Sequence, residues 1–76
     1  MRIYPNPAST LLTIDYKPVN DETKFEVLDM TGREVFSGMI NSYGQTTIGV
    51  EGLSSGIYAI RIVDGGRSTA VKFIRE

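Results

Sequence analysis

The chain has 76 residues, with Lys+Arg 8 against Asp+Glu 9, a formal net charge of −1, and neither His, Cys nor Trp. Without His and Cys it lacks the usual neutral-pH base, the thiolate nucleophile, disulfides and the commonest zinc ligands. A near-neutral charge also lacks the basic footprint that binding to a phosphate backbone demands. Enzymatic activity, a metal or cofactor site, and a nucleic-acid partner are therefore not expected. At 8.4 kDa, folding leaves roughly 4,600 Å² exposed of the 12,000 Å² or so in the unfolded chain, enough for one modest core held by packing and backbone pairing. No apolar run approaches the roughly 20 residues of a membrane-spanning helix, and no basic stretch followed by an apolar one opens the chain. Neither direct membrane insertion nor an export leader within this segment is expected.

Val 6, Ile 8 and Thr 7 outnumber Ala 3 and Leu 4, an alphabet that favours strands. Arg2 to Tyr4 reads as a short opening strand. In Tyr4-Pro5-Asn6-Pro7, each proline biases the residue before it away from the helical region, giving an extended approach and then a bend. The same rigid segment, with its neighbouring Tyr4, has the chemistry to dock in an aromatic groove. Ser9 to Lys17 alternates, with Leu12, Ile14 and Tyr16 on one face and Leu11, Thr13 and Asp15 on the other. Pro18 to Glu22 is a turn. Thr23 to Met30 sets Phe25 and Val27 against Lys24 and Glu26. Asp29-Met30-Thr31-Gly32-Arg33 then reads as a hairpin connection in which Asp29 opens a type I turn and Gly32 supplies a positive φ.

Glu34 to Ile40 is the next strand, Asn41 to Gln45 a turn, and Thr46 to Val50 a strand facing inward through Ile48 and Val50. In the following loop, Glu51 to Ser55, Leu53 is an apolar plug. Gly56 is suited to a bulge or a close backbone approach. Ile57 to Asp64 places Tyr58, Ile60 and Ile62 on one face, and the Tyr58 hydroxyl needs a backbone partner. Asp64-Gly65-Gly66 is a second hairpin turn, with too few oxygen ligands nearby for calcium. The last strand, Ser68 to Arg75, sets Val71 and Phe73 opposite Lys72.

Seven short strands separated by turn residues, with no helical period anywhere, predict an all-β fold, an Ig-like seven-stranded antiparallel β-sandwich. No linker or internal repeat divides residues 1–76, so a single domain is expected. The terminal strand carries Arg67, Lys72 and Arg75, as an edge strand does when its charges discourage self-pairing or invite a partner's strand. An edge-strand homodimer is a further expectation for the isolated domain. The carboxylates Asp15, Asp21, Glu22, Glu26 and Glu51 fall on strand faces or loops and read as solvated charge, not as an acid/base pair.

Taken in order, Tyr4 to Pro7, Leu12-Thr13-Ile14, Val27 to Arg33, Gly56-Ile57-Tyr58 and Lys72-Phe73-Ile74-Arg75-Glu76 resemble the type A C-terminal sorting domain of the bacterial type IX secretion system, over essentially the whole chain. The resemblance implies an address label, fused behind a cargo in Bacteroidota, that reaches the periplasm and then directs the cargo across the outer membrane to the cell surface or medium. It further implies an outer-membrane translocon, a shuttle protein and a surface sortase as partners, the last cutting in a linker upstream of Met1. The motif positions fall on Pro5, Asn6 and Pro7, on Gly56, Ile57 and Tyr58, and on Lys72, Phe73, Ile74 and Arg75. Asp29, Gly32, Gly65 and Gly66 serve the turns. Lys72 stands alone where many members have two adjacent basic residues, and Arg75 supplies the second charge.

Two other readings compete, a binding sandwich and a small hydrolase, the latter resting on Asp15, Asp21, Glu22, Glu26 and Glu51, which read as solvated charge. A carbohydrate-binding or adhesive β-sandwich presents a platform of exposed aromatics, for which only Tyr43 and Tyr4 are candidates here. A nuclease suggested by Gly56-Ile57-Tyr58 is rejected, because the downstream Tyr-Ile-Gly element and an Arg/Glu framework are missing.

Overall fold

The computed structural model describes residues 1–76. Seven strands run in the order β1 (Arg2–Tyr4), β2 (Leu11–Asp15), β3 (Lys24–Leu28), β4 (Glu34–Met39), β5 (Gln45–Gly49), β6 (Gly56–Asp64) and β7 (Arg67–Arg75). They form two antiparallel sheets, β1-β2-β5 and β4-β3-β6-β7, packed as a β-sandwich. Its exposed surface of 4717 Å² matches the area expected of a folded chain of this mass.

Period-two alternation decides the core. Leu12 and Ile14 from β2 and Ile48 from β5 meet Phe25 and Val27 from β3, Ile60 and Ile62 from β6, and Phe73 from β7, with Ala8, Ile40 and Val50 closing the ends. The chain changes sheets through Lys17–Thr23, between β4 and β5, and between β5 and β6, while Pro5–Thr10 joins β1 to β2. This last segment also reaches the other sheet. Ala8 lies parallel to Arg75 in an isolated bridge, its N–H donating to the Ile74 carbonyl at 2.8 Å while Glu76 donates to the Ala8 carbonyl at 2.9 Å.

Both hairpins follow their turn chemistry. Between β3 and β4, Gly32 takes φ +87°, and its N–H donates to the Asp29 carbonyl. The Asp29 carboxylate accepts from the Thr31 hydroxyl, the Thr31 N–H and the Arg33 N–H. Those bonds, the Thr31 hydroxyl first, hold its carboxyl below the ordinary range. Between β6 and β7, Gly65 sits at φ +64° in the first position of a two-residue turn closed by Asp64 and Arg67, the pattern of a type II′ hairpin. Gly66 has no positive φ and open space around it, so the turn needs a glycine only at Gly65.

The carboxylates of the β3–β6 surface depart from the sequence expectation at one point. Glu26 is buried, because its outward face is roofed by two cations. Arg61 approaches its Oε1 at 2.5 Å and Lys24 its Oε2 at 3.3 Å. The Arg61 bond, ahead of the Lys24 bond, overcomes the opposing effect of burial and keeps the Glu26 carboxyl below its usual range. Of the five carboxylates read as solvated charge, Glu26 is instead a paired, covered ion.

Asp64 does more than end a strand. It is 1% exposed and accepts hydrogen bonds from the Tyr16 hydroxyl at 2.7 Å, the Val19 N–H at 3.0 Å, the Asn20 N–H and side chain at 3.0 and 2.7 Å, and the Thr23 hydroxyl at 2.8 Å. One side chain thereby fixes the whole crossover from β2 to β3. The Tyr16 bond, then those from Val19 and Asn20, hold the Asp64 carboxyl far below its ordinary range, and the same contact pushes the Tyr16 hydroxyl up.

Candidate recognition surface

β7 is an edge strand, and its two faces are unlike. Phe73 points inward, 1% exposed, with its ring stacked on Tyr58 at 5.7 Å between centroids and 24° between planes. Tyr58 in turn donates its hydroxyl to the Ser54 carbonyl at 2.8 Å, the backbone partner that its half-buried position requires. Leu53 packs against the same core. Gly56 lies at φ +154°, but its register with Arg75 is unbroken and nothing lies within 4 Å of a Cβ built there. Neither a bulge nor a close approach explains Gly56; its φ does.

The outward face is apolar and open. Register places Ile57 beside Ile74 and Ala59 beside Lys72, with Leu28 next to Ala59 on β3. Ile57 and Ile74 are 44% and 46% exposed, and Met30 on the neighbouring hairpin is 73% exposed. Two shallow grooves share this ground. One of about 290 Å³ is lined by Leu28, Met30, Ile57, Tyr58 and Lys72. The other, about 220 Å³, is lined by Asn6, Ile57, Lys72, Phe73 and Ile74. Lys72 is exposed between them and makes no ion pair within 4.0 Å.

The structure thus brings together three motifs that lie far apart in the chain. Asn6 accepts a hydrogen bond from the Ile74 N–H at 2.9 Å through its side-chain oxygen, so the Pro5-Asn6-Pro7 bend abuts the end of β7. Pro5 and Pro7 are exposed, each preceded by a cis peptide bond. Gly56-Ile57-Tyr58 pairs with Phe73-Ile74-Arg75 along the β6–β7 ladder. Arg75 is the exception among the basic positions. Its guanidinium turns across to the other sheet, donating to the Val50 carbonyl at 2.7 Å, the Glu51 carbonyl at 3.0 Å and the Glu76 carbonyl. Arg75 is a tie between sheets, and Lys72 is the free cation. Asp29, Gly32, Gly65 and Gly66 remain in turns, the first two at the rim of the larger groove.

The opposite end of the molecule offers no rival. A depression of about 610 Å³ lined by Asn20, Asp21, Glu22, Lys24, Val63 and Gly65 is polar and wide open, and no three His, Cys, Asp or Glu side chains gather anywhere as a metal-binding group.

Residues 2–76 match the family model of the secretion system C-terminal sorting domain. The chain belongs to this family. No curated protein matches it. As a member, the domain is a C-terminal sorting signal for type IX secretion, a system of Bacteroidota. It is recognised by the type IX machinery, and its destination is the cell surface or the extracellular space. In the sorting domain, the sandwich closes through its Ala8–Arg75 bridge beside the apolar outer patch.

Proposed function

We propose that residues 1–76 form a single sorting domain that passes folded through the periplasm behind a fused cargo, and that the machinery reads it at the outer face of β6 and β7. The observation that carries this reading is the convergence of Asn6, Ile57, Lys72 and Ile74 on one exposed patch, in a chain that matches the sorting family throughout. Pro5 and Pro7 shape the rim of that patch. Gly56, Tyr58 and Phe73 hold it from behind, Ile57, Lys72 and Ile74 present it, and Arg75 locks it to the second sheet.

The outer-membrane translocon, the shuttle protein and the surface sortase are the readers in this proposal, with sortase cleavage upstream of the domain releasing or anchoring the cargo. The carbohydrate-binding alternative has weaker support. The Tyr4 ring is already covered by the Arg2 guanidinium, 5.2 Å from its centroid, and Tyr43, though 91% exposed, stands alone on a loop. The test is a periplasm-targeted fluorescent protein followed by a linker and residues 1–76 in a type IX-competent host. Fluorescence at the surface or in the medium supports sorting, and retention in the periplasm contradicts it.

A further inference from the structure

The free edge of β7 is open over part of its length only. At its C-terminal end, the N–H and C=O of Ile74 point away from β6 and are taken by the Asn6 side chain and the Ala8 backbone. In an antiparallel edge strand, alternate residues turn both backbone groups outward, so Ser68, Ala70 and Lys72 face the same way as Ile74. β7 pairs only with β6, and no other backbone or side-chain bond reaches these three residues. Three N–H and three C=O groups therefore stand unpaired along the middle of β7, ending abruptly where Asn6 begins.

The side chains along that stretch are two-sided. On the outer face lie Ser68, Ala70 and Lys72, and the free ammonium of Lys72 is the charge nearest the closed end. On the inner face, at the margin of the core, lies half-buried Val71. β7 carries Arg67, Lys72 and Arg75 and no acidic residue. This distribution disfavours a second copy, because another β7 would bring more positive charge. It favours a strand of alternating acidic and aliphatic residues.

We infer that the sorting machinery docks on this domain by strand addition: an extended partner segment of about five residues, alternating acidic and aliphatic, pairs with Ser68–Lys72 and stops against Asn6. An acidic side chain then lies beside Lys72 and an aliphatic one beside Val71. Asn6-Pro7-Ala8 acts as the end stop that sets the register. The inference rests on the sorting reading above and names the partner's chemistry and the mode of contact.

The test uses the full chain in the fluorescent fusion, with three variants. Ala70→Pro removes one outward N–H and obstructs an incoming strand, yet breaks no bond to β6, since proline is tolerated where an edge N–H faces solvent. Lys72→Glu reverses the free charge, and Tyr43→Ala, at an exposed loop position away from β7, is the silent control. Each domain's melting temperature is measured in parallel. Strand addition predicts that Ala70→Pro lowers export about tenfold, the equivalent of one or two backbone hydrogen bonds, that Lys72→Glu lowers it comparably, and that Tyr43→Ala leaves it unchanged. If Ala70→Pro fails to fold, Lys72→Glu still decides: unchanged export in that variant overturns the inference. Loss of export in Lys72→Glu with full export in a folded Ala70→Pro also overturns it, in favour of an anionic surface sensed by charge alone. Unchanged export alongside loss of a concentration-dependent dimer assigns the edge to a second copy and again overturns it. Retention of the unmodified fusion refutes the sorting reading itself, an outcome distinct from all of these.

Discussion

The two ends of the β6–β7 hairpin make a useful contrast. At the turn end, Asp64 is buried and gathers five hydrogen bonds from Tyr16, Val19, Asn20 and Thr23. At the other end, Ile57 and Ile74 lie nearly half-exposed and Lys72 has no partner. One end is polar and satisfied from within; the other is apolar and unsatisfied. A buried carboxylate in a network is retained for the fold, because removing any one partner strands the others. An exposed apolar patch with a free cation at its centre stabilises nothing by itself and points to a partner. The same two strands thus carry a structural knot at one end and, in the proposed function, an address at the other.

Core substitutions break this contrast most severely, because they destroy both ends. Phe73→Ala removes a ring that is fully enclosed between the sheets and is expected to cost about 3 to 5 kcal/mol. A small domain has only about 5 to 10 kcal/mol of stability in all, so the urea midpoint should fall by roughly half. The next effect belongs to the knot. Asp64→Ala leaves the Tyr16 hydroxyl and two backbone N–H groups without their acceptor, and the melting temperature should drop by about 10 °C or more.

The knot also sets an acid limit. Folded-state carboxyls held below their unfolded values contribute stability that is fully present above the unfolded value, about 3.9 for Asp, and is lost as pH falls through and below it. Asp64, Asp29 and Glu26 all shift in this direction. Urea midpoints should therefore be level from pH 7 to about pH 5 and fall below about pH 4. In Asp64→Asn the acid limb should be visibly shallower; an unchanged limb would place the acid sensitivity elsewhere. Tyr16 shifts the opposite way. Its contribution is present below the usual tyrosine range and fades as pH rises through the folded value.

Smaller effects sharpen the boundary between knot and address. Gly65→Ala forces a β-carbon into a left-handed turn and against the Asn20 side-chain nitrogen 2.7 Å away, costing about 1 to 2 kcal/mol from the backbone conformation. Arg75→Ala removes bonds to the Val50 and Glu51 carbonyls and should cost a similar amount, so its export phenotype has to be read beside a melting curve. Lys72→Ala should change stability by no more than about 0.5 kcal/mol while reducing export. That pairing of a silent fold and a lost signal is what separates an address residue from a structural one.

Much of this was legible in the chain itself. Alternation of Leu12 with Ile14, Phe25 with Val27, and Ile60 with Ile62 locates strands to within about two residues, because a sandwich core imposes period two on every inward face. Asp29 and Gly32 announce their hairpin, and Tyr58 its need for a backbone acceptor, since those requirements are local. What alternation does not reveal is what lies across the fold. Asp64 reads as a turn residue until β2 and the crossover come to lie over it, 41 to 48 positions away in sequence. Glu26 reads as solvated until Arg61 from β6 covers it. Arg75 looks as free as Lys72, and only the Val50 and Glu51 carbonyls, just beyond the end of β5, distinguish them. The convergence of Asn6 on Ile74, 68 residues apart, has the same origin.

The most direct measurement is export of the fluorescent fusion carrying Lys72→Glu, scored beside the unmodified chain and the melting temperature of each domain. If the outer face of β7 is the address, the variant melts with the unmodified domain and its fluorescence stays in the periplasm. Fluorescence reaching the surface or medium at the unmodified level, from a domain of unchanged stability, would contradict it.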